Sequence, residues 1–225
     1  MRTLFQTLAA MTLLAGCGSS PGGGTRTLYV KAEAWSDGSS DGTWISVEVR
    51  QGSSDGTLLN DATVSMHGSK SGDFSLPWQG ISFGNFRAGS YHKGQMAWDS
   101  GFQISVKRGN DALDAYLEVP GITTITNPLG GTTFRRADGQ PLMVKWKDDV
   151  NHVAQKVTVT FDHSDGATSI LNADPLQLQV DPNRLVAASP ENIEVRRENT
   201  VNLAGGVSGS SFTATTRHRI DFNIE

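Results

Sequence analysis

Apolar and polar residues alternate one for one through almost every patterned segment of this 225-residue chain. A period of two puts successive side chains on opposite faces of a strand, so each segment reads as a half-buried β-strand. In the first half the apolar phases are Leu28-Val30-Ala32-Ala34, Ile45-Val47-Val49, Ala62-Val64-Met66, Phe102-Ile104-Val106 and Leu113-Ala115-Leu117-Val119. The second half carries Leu142-Val144-Trp146, Val157-Val159-Phe161, Leu176-Leu178-Val180 and a long run from Phe212 to Ile224. Asp-Gly pairs at 37–38, 41–42, 55–56, 138–139 and 165–166 supply turn chemistry between them. No stretch beyond residue 26 has an apolar stripe at helical spacing. The pattern predicts an all-β fold of two antiparallel β-sandwich modules, residues 27–121 and 122–225, divided near Val119-Pro120-Gly121. Each module has roughly 100 residues, enough to bury a core of its own.

Alternation also fixes one register. Setting Trp35 opposite Trp44 pairs Glu33 with Ser46, Lys31 with Glu48 and Tyr29 with Arg50 on an outer face. Ala32/Val47 and Val30/Val49 then meet on the inner face. A slip of one residue would turn the inner set outward, so agreement on both faces supports the hairpin. The pairing predicts a Lys31–Glu48 ion pair and a Tyr29–Arg50 cation–π contact.

Residues 1–16 have the layout of a secretory leader: Arg2, then an apolar run from Leu4 to Leu14 broken by Gln6, Thr7 and Thr12, then small Ala15 and Gly16. The run is far shorter than the roughly 20 apolar residues that span a bilayer. Leu14-Ala15-Gly16-Cys17 resembles the lipobox of bacterial lipoprotein precursors, and Cys17 is the chain's single cysteine. The resemblance implies cleavage between Gly16 and Cys17 and lipidation of the Cys17 thiol. Gly18 stands where inner-membrane lipoproteins of that family typically carry aspartate, which implies the outer membrane. Two or more acyl chains anchor stably. Residues 17–26, with Gly18-Ser-Ser-Pro-Gly-Gly-Gly24, then form a flexible tether. With Cys17 lipidated, no thiol remains for a disulfide within the chain.

Ile45 to Gln51, with Leu59 through Gly68, resembles the opening of transthyretin-like, carboxypeptidase-regulatory-like modules. Pro128 to Phe134, with Pro141 to Trp146, resembles the start of immunoglobulin or fibronectin-type modules, in which a strand-borne tryptophan fills the space between sheets. These families imply binding or spacing rather than catalysis.

The formal charge of −4, without clustered Lys and Arg, argues against nucleic acid as a partner. The five histidines show no metal-binding spacing, and the aspartates near turns lack any calcium-loop pattern. No cofactor is expected. His163-Ser164-Asp165 brings triad residue types together only in sequence, and there is no nucleophile elbow. No enzyme activity is expected.

Candidate partner surfaces rest on aromatics. Trp35 and Trp44, with Tyr29, share the phase opposite the core; they either form a ligand or partner patch or close the hairpin against the second module. Trp78 and Trp98 lie in a glycine-rich stretch, Pro77 to Gly101, which reads either as a binding loop or as filling between irregular strands. Arg196-Arg197, flanked by Glu191, Glu194 and Glu198, reads as a solvated surface or a docking face. The expected function is non-catalytic binding, scaffolding or assembly at the envelope through a membrane anchor and a protein partner. The alternatives are an accessory subunit of a secretion, motility or adhesion machine, and a surface glycan receptor.

Overall fold

The computed structural model describes residues 26–39, 42–83, 86–149 and 152–225. The leader and the lipobox, Gly16 and Cys17 included, lie outside the described residues. The first half contributes β1 (Leu28–Ser36), β2 (Thr43–Gln51), β3 (Thr63–Gly68), β4 (Gly72–Ser75), β5 (Trp78–Phe83), β6 (Phe86–Met96), β7 (Gly101–Arg108) and β8 (Asp111–Glu118). The second contributes β9 (Thr124–Asn127), β10 (Thr133–Phe134), β11 (Leu142–Lys147), β12 (Lys156–Phe161), β13 (Ser169–Leu171), β14 (Gln177–Val180), β15 (Ala188–Asn202) and β16 (Ser211–Ile224). The only helical pieces among the described residues are single 3₁₀ turns.

These strands make a sandwich of unequal layers. One nine-stranded sheet runs β13-β12-β15-β16-β1-β2-β6-β5, with β10 beside the end of β16. Two smaller sheets, β4-β3-β7-β8 and β14-β11-β9, pack against it. The first core joins Val30, Val47, Phe212 and Ala214 of the long sheet to Met66, Ile104 and Leu113 of the four-stranded sheet. The second joins Val159, Ile193, Val195 and Phe222 to Val144, Trp146 and Val180 of the three-stranded sheet. Inward residues of β15 and β16 serve both cores, so both small sheets lie on one face of the long sheet, and no layer of the described residues covers the other face.

The all-β sandwich follows the alternation closely. The Trp35/Trp44 register is the observed one, from Leu28↔Gln51 to Ser36↔Thr43. The predicted side-chain pairings on it are not the ones made. Lys31 Nζ lies 2.7 Å from Glu33 and Arg50 lies 3.0 Å from Glu48, each pairing two residues along its own strand.

Two expectations need correction. Pairing is not purely antiparallel, since β1 and β10 both run parallel to β16. A parallel pair needs a long crossover, here most of the chain, and no local pattern reveals it. The modules also share a sheet: Val201, Leu203, Phe212 and Ala214 belong to the second half of the sequence but pack in the first core. The cause is the length of the β15–β16 hairpin, which pairs from Ala188↔Ile224, through a register shift before Glu191↔Phe222, to Asn202↔Ser211.

Arg197 marks the seam between the two cores. Its side chain is 0% exposed, so the solvated reading of the Arg196-Arg197 pair holds only for Arg196, which bonds Glu198 at 2.7 Å. Arg197 sits in the inward phase of β15. It donates to Asp174 from Nε at 2.8 Å and from Nη2, to Asp148 at 2.8 Å, and to the carbonyls of Gly121 and His152. Asp174 also accepts from the Trp146 indole and the Ala154 amide. A buried cation needs this many acceptors to offset its lost hydration.

Candidate functional site

The open face of the long sheet collects the outward residues of five adjacent strands, β6, β2, β1, β16 and β15. Trp35 and Trp44 sit opposite one another at the end of the β1–β2 hairpin, 37% and 39% exposed. Their rings stack at 6.0 Å between centroids with 15° between planes. Trp44 lies against Gly94 of β6, where a Cβ would collide with the indole. On the β16 side, the Arg217 guanidinium stands 5.5 Å from the Trp35 ring centre. A row therefore crosses four strands as Gly94, Trp44, Trp35 and Arg217. Each indole thus has neighbours on two sides while more than a third of it stays exposed.

Beside Trp35 the sheet holds a cavity of about 300 Å³, lined by Glu33, Trp35, Glu194, Arg196, Thr213, Thr215 and Arg217. Glu194 and Arg217 also line an adjoining cavity of about 370 Å³ with Asp37, His218 and Arg219. Asp37 is held by the Ser39 amide and hydroxyl, which keep its carboxyl below the usual range. Arg219 pairs with Asp162 at 2.5 Å. His218 accepts a hydrogen bond at Nδ1 from the Ile125 amide, and burial lowers its pKa, so the ring there is neutral.

The other aromatic candidates lie elsewhere. Tyr29 is on the same face but six residues from Trp35 along β1, about 20 Å at strand rise. Trp98 is buried: its indole donates to the Pro120 carbonyl at 2.8 Å and meets Phe102 edge-on. Trp78 packs partly buried against the first core, edge-on to Tyr91. Both fill the sandwich, so neither contributes to a surface patch with Trp35 and Trp44.

His163-Ser164-Asp165 is a structural turn. Ser164 is 0% exposed; its hydroxyl donates to Glu191 at 2.8 Å and accepts from the Val186 amide at 2.9 Å. Glu191 further accepts the His163 and Asn192 amides. A nucleophile so enclosed has no access to substrate. Asp111, one of the turn-region aspartates, instead holds the amides of Arg26 and Thr27, the first two described residues.

Sequence reading missed two groupings. Arg217 and Glu194 reach the tryptophans only through the parallel β1–β16 contact, although the outward phase of β16 already carried Arg217. On the four-stranded sheet, His67 Nδ1 lies 2.7 Å from Asp73 beside a cavity of about 530 Å³ lined by Ser65, Ser75, Gln103 and Ser105. That pair is brought together by the β3–β4 turn.

No family model matches this chain, and no curated protein matches it. Among solved structures it is similar to a Ca²⁺-stabilised adhesin with which an Antarctic bacterium reaches out and binds ice, at 12% identity and a TM-score of 0.29, covering 90% of this chain and 50% of that one. It is also similar to the first two immunoglobulin domains of DIP-gamma, at 8% identity and a TM-score of 0.25, covering 88% and 97%. At such scores neither superimposes as a whole on this chain.

Proposed function

We propose that this chain is a non-catalytic binding or scaffolding protein of the bacterial cell envelope, held at the outer membrane by a lipidated Cys17. In this reading it meets an envelope protein with the open face around Trp35 and Trp44. The observation that carries the reading is the Trp35–Trp44 stack, held 37% and 39% exposed on the face of the long sheet that no described layer covers. Two large rings fixed by neighbours on both sides lose little freedom on contact, which is the property of an interface anchor. A tether confines the module to the membrane plane and raises its effective concentration near partners there. The resemblance to transthyretin-like and immunoglobulin-like modules, and a role as accessory subunit of an envelope machine, belong to the same reading.

Glycan capture by ring stacking is the weaker alternative, because sugars stack on indole faces and these faces are partly taken by each other, Arg217 and Gly94. The test is a photo-crosslinking residue placed in intact cells at Lys31 or Thr213 on the open face, and at Gln103 on the four-stranded sheet. The same discrete protein adduct is expected from both open-face positions and none from Gln103. Adducts from all three alike, or from none, would contradict the proposal.

A further inference from the structure

We infer that the cavity beside Trp35 is a subsite for a zwitterionic amino-acid head group, with Glu194 taking the ammonium and Arg217 the carboxylate. The inference rests on reading this face as a binding surface and names the chemistry it accepts. Four charged side chains line the cavity, and two are neutralised within the fold: Glu33 by Lys31 at 2.7 Å, and Arg196 by Glu198 at 2.7 Å. Glu194 and Arg217 remain. They lie on adjoining strands, and no ion pair within 4 Å joins them to each other or to another described residue; Asp37, in the adjoining cavity, feels the Arg217 charge only from farther off. The cavity therefore keeps a separated negative and positive group, with the Thr215 hydroxyl and the Trp35 edge between strands.

Arg217 is already placed by its contact with Trp35, 5.5 Å from the ring centre. A guanidinium fixed in this way presents its planar fork to a carboxylate with little ordering left to do. A monoanion would leave Glu194 unpaired and a monocation would leave Arg217 so; a group carrying an ammonium and a carboxylate on one carbon satisfies the two together. The volume, about 300 Å³, is at the lower end of small-molecule sites and suits one such head group. Its aliphatic remainder then packs on the Trp35 edge. The same head group occurs in free amino acids and at side-chain ends of peptides in cell-wall polymers.

The experiment is a tryptophan-fluorescence titration of the purified full chain with L-alanine, N-acetyl-alanine, alanine amide, and a short peptide whose side chain ends in an amino-acid head group. Saturable change with L-alanine is expected at a dissociation constant on the order of 1 mM, from two charge-assisted contacts at a half-open site. Each capped form should bind about tenfold more weakly, as should Glu194→Gln and Arg217→Gln, with unfolding transitions unchanged. Tighter binding of the peptide assigns the site to a polymer end, and equal binding assigns it to the free amino acid. Equal affinity for capped and uncapped alanine, or no saturation by L-alanine, overturns the inference. If that happens while the open-face crosslink persists, only the subsite falls; if the crosslink is absent as well, the binding face falls with it.

Discussion

The guanidinium of Arg197 and the carboxylate of Asp174 meet at the seam between two hydrophobic cores, with side chains 0% and 1% exposed. One strand supplies the cation. The acceptors come from the three-stranded layer's connections and from the link at Gly121. The contact thus ties the long sheet to the chain segment that passes from one core to the other.

Removing one partner of a buried pair leaves an uncompensated charge, at a cost of about 3–5 kcal/mol. Arg197→Met would leave the buried charges of Asp148 and Asp174 without their shared cation, and a loss of that size is expected in urea unfolding. A loss below about 1 kcal/mol would mean that water reaches the carboxylates.

Asp99 fixes the β3–β4 turn. Burial would raise its pKa, but the Ser69 hydroxyl and the amides of Lys70, Ser100 and Ser71 outweigh burial and hold it at about 2, against an ordinary 3.8. The folded value lies below the unfolded one. Its contribution is therefore full above 3.8 and is lost as pH falls toward 2. Asp99→Asn should reduce stability at neutral pH by about 1–2 kcal/mol and flatten the acid limb of the stability curve. An acid limb identical to that of the parent would exclude this role.

His218 has the opposite charge and the opposite origin of its shift. Burial lowers its pKa below 6.5, and protonating Nδ1 would break the bond from the Ile125 amide. The unfolded chain then binds the proton first, so stability is full above 6.5 and declines as pH falls below it. Replacing the ring by the neutral acceptor in His218→Gln should remove that slope, read as urea midpoints across the same pH range.

Cys17→Ser removes the proposed site of lipid attachment. Fractionation should find the variant in the soluble fraction and the parent with the membranes. A variant that stays membrane-bound would contradict anchoring through this thiol.

Much of this architecture was legible because strand alternation is local. Val30, Val47, Ile104 and Val159 are buried as their phase required, and the β1–β2 register followed from two tryptophans and matched faces. What was illegible depends on contacts distant in sequence. Arg197 looks like part of a charge cluster until Asp148 and Asp174 are brought to it from other connections. Trp98 looks like a loop residue until Pro120, 22 positions on, accepts its indole proton. Arg217 becomes a neighbour of Trp35 only through a parallel pairing that closes across nearly the whole chain.

The account stands on the open face as a binding surface, and the double variant Trp35→Ala/Trp44→Ala tests it most directly. Both rings lie outside the core, so the unfolding free energy should change by no more than about 1 kcal/mol, the scale of a cross-strand pair. The crosslinked adduct formed from Thr213 in cells should disappear. An adduct that persists undiminished, or a fold that melts along with the rings, would contradict the account.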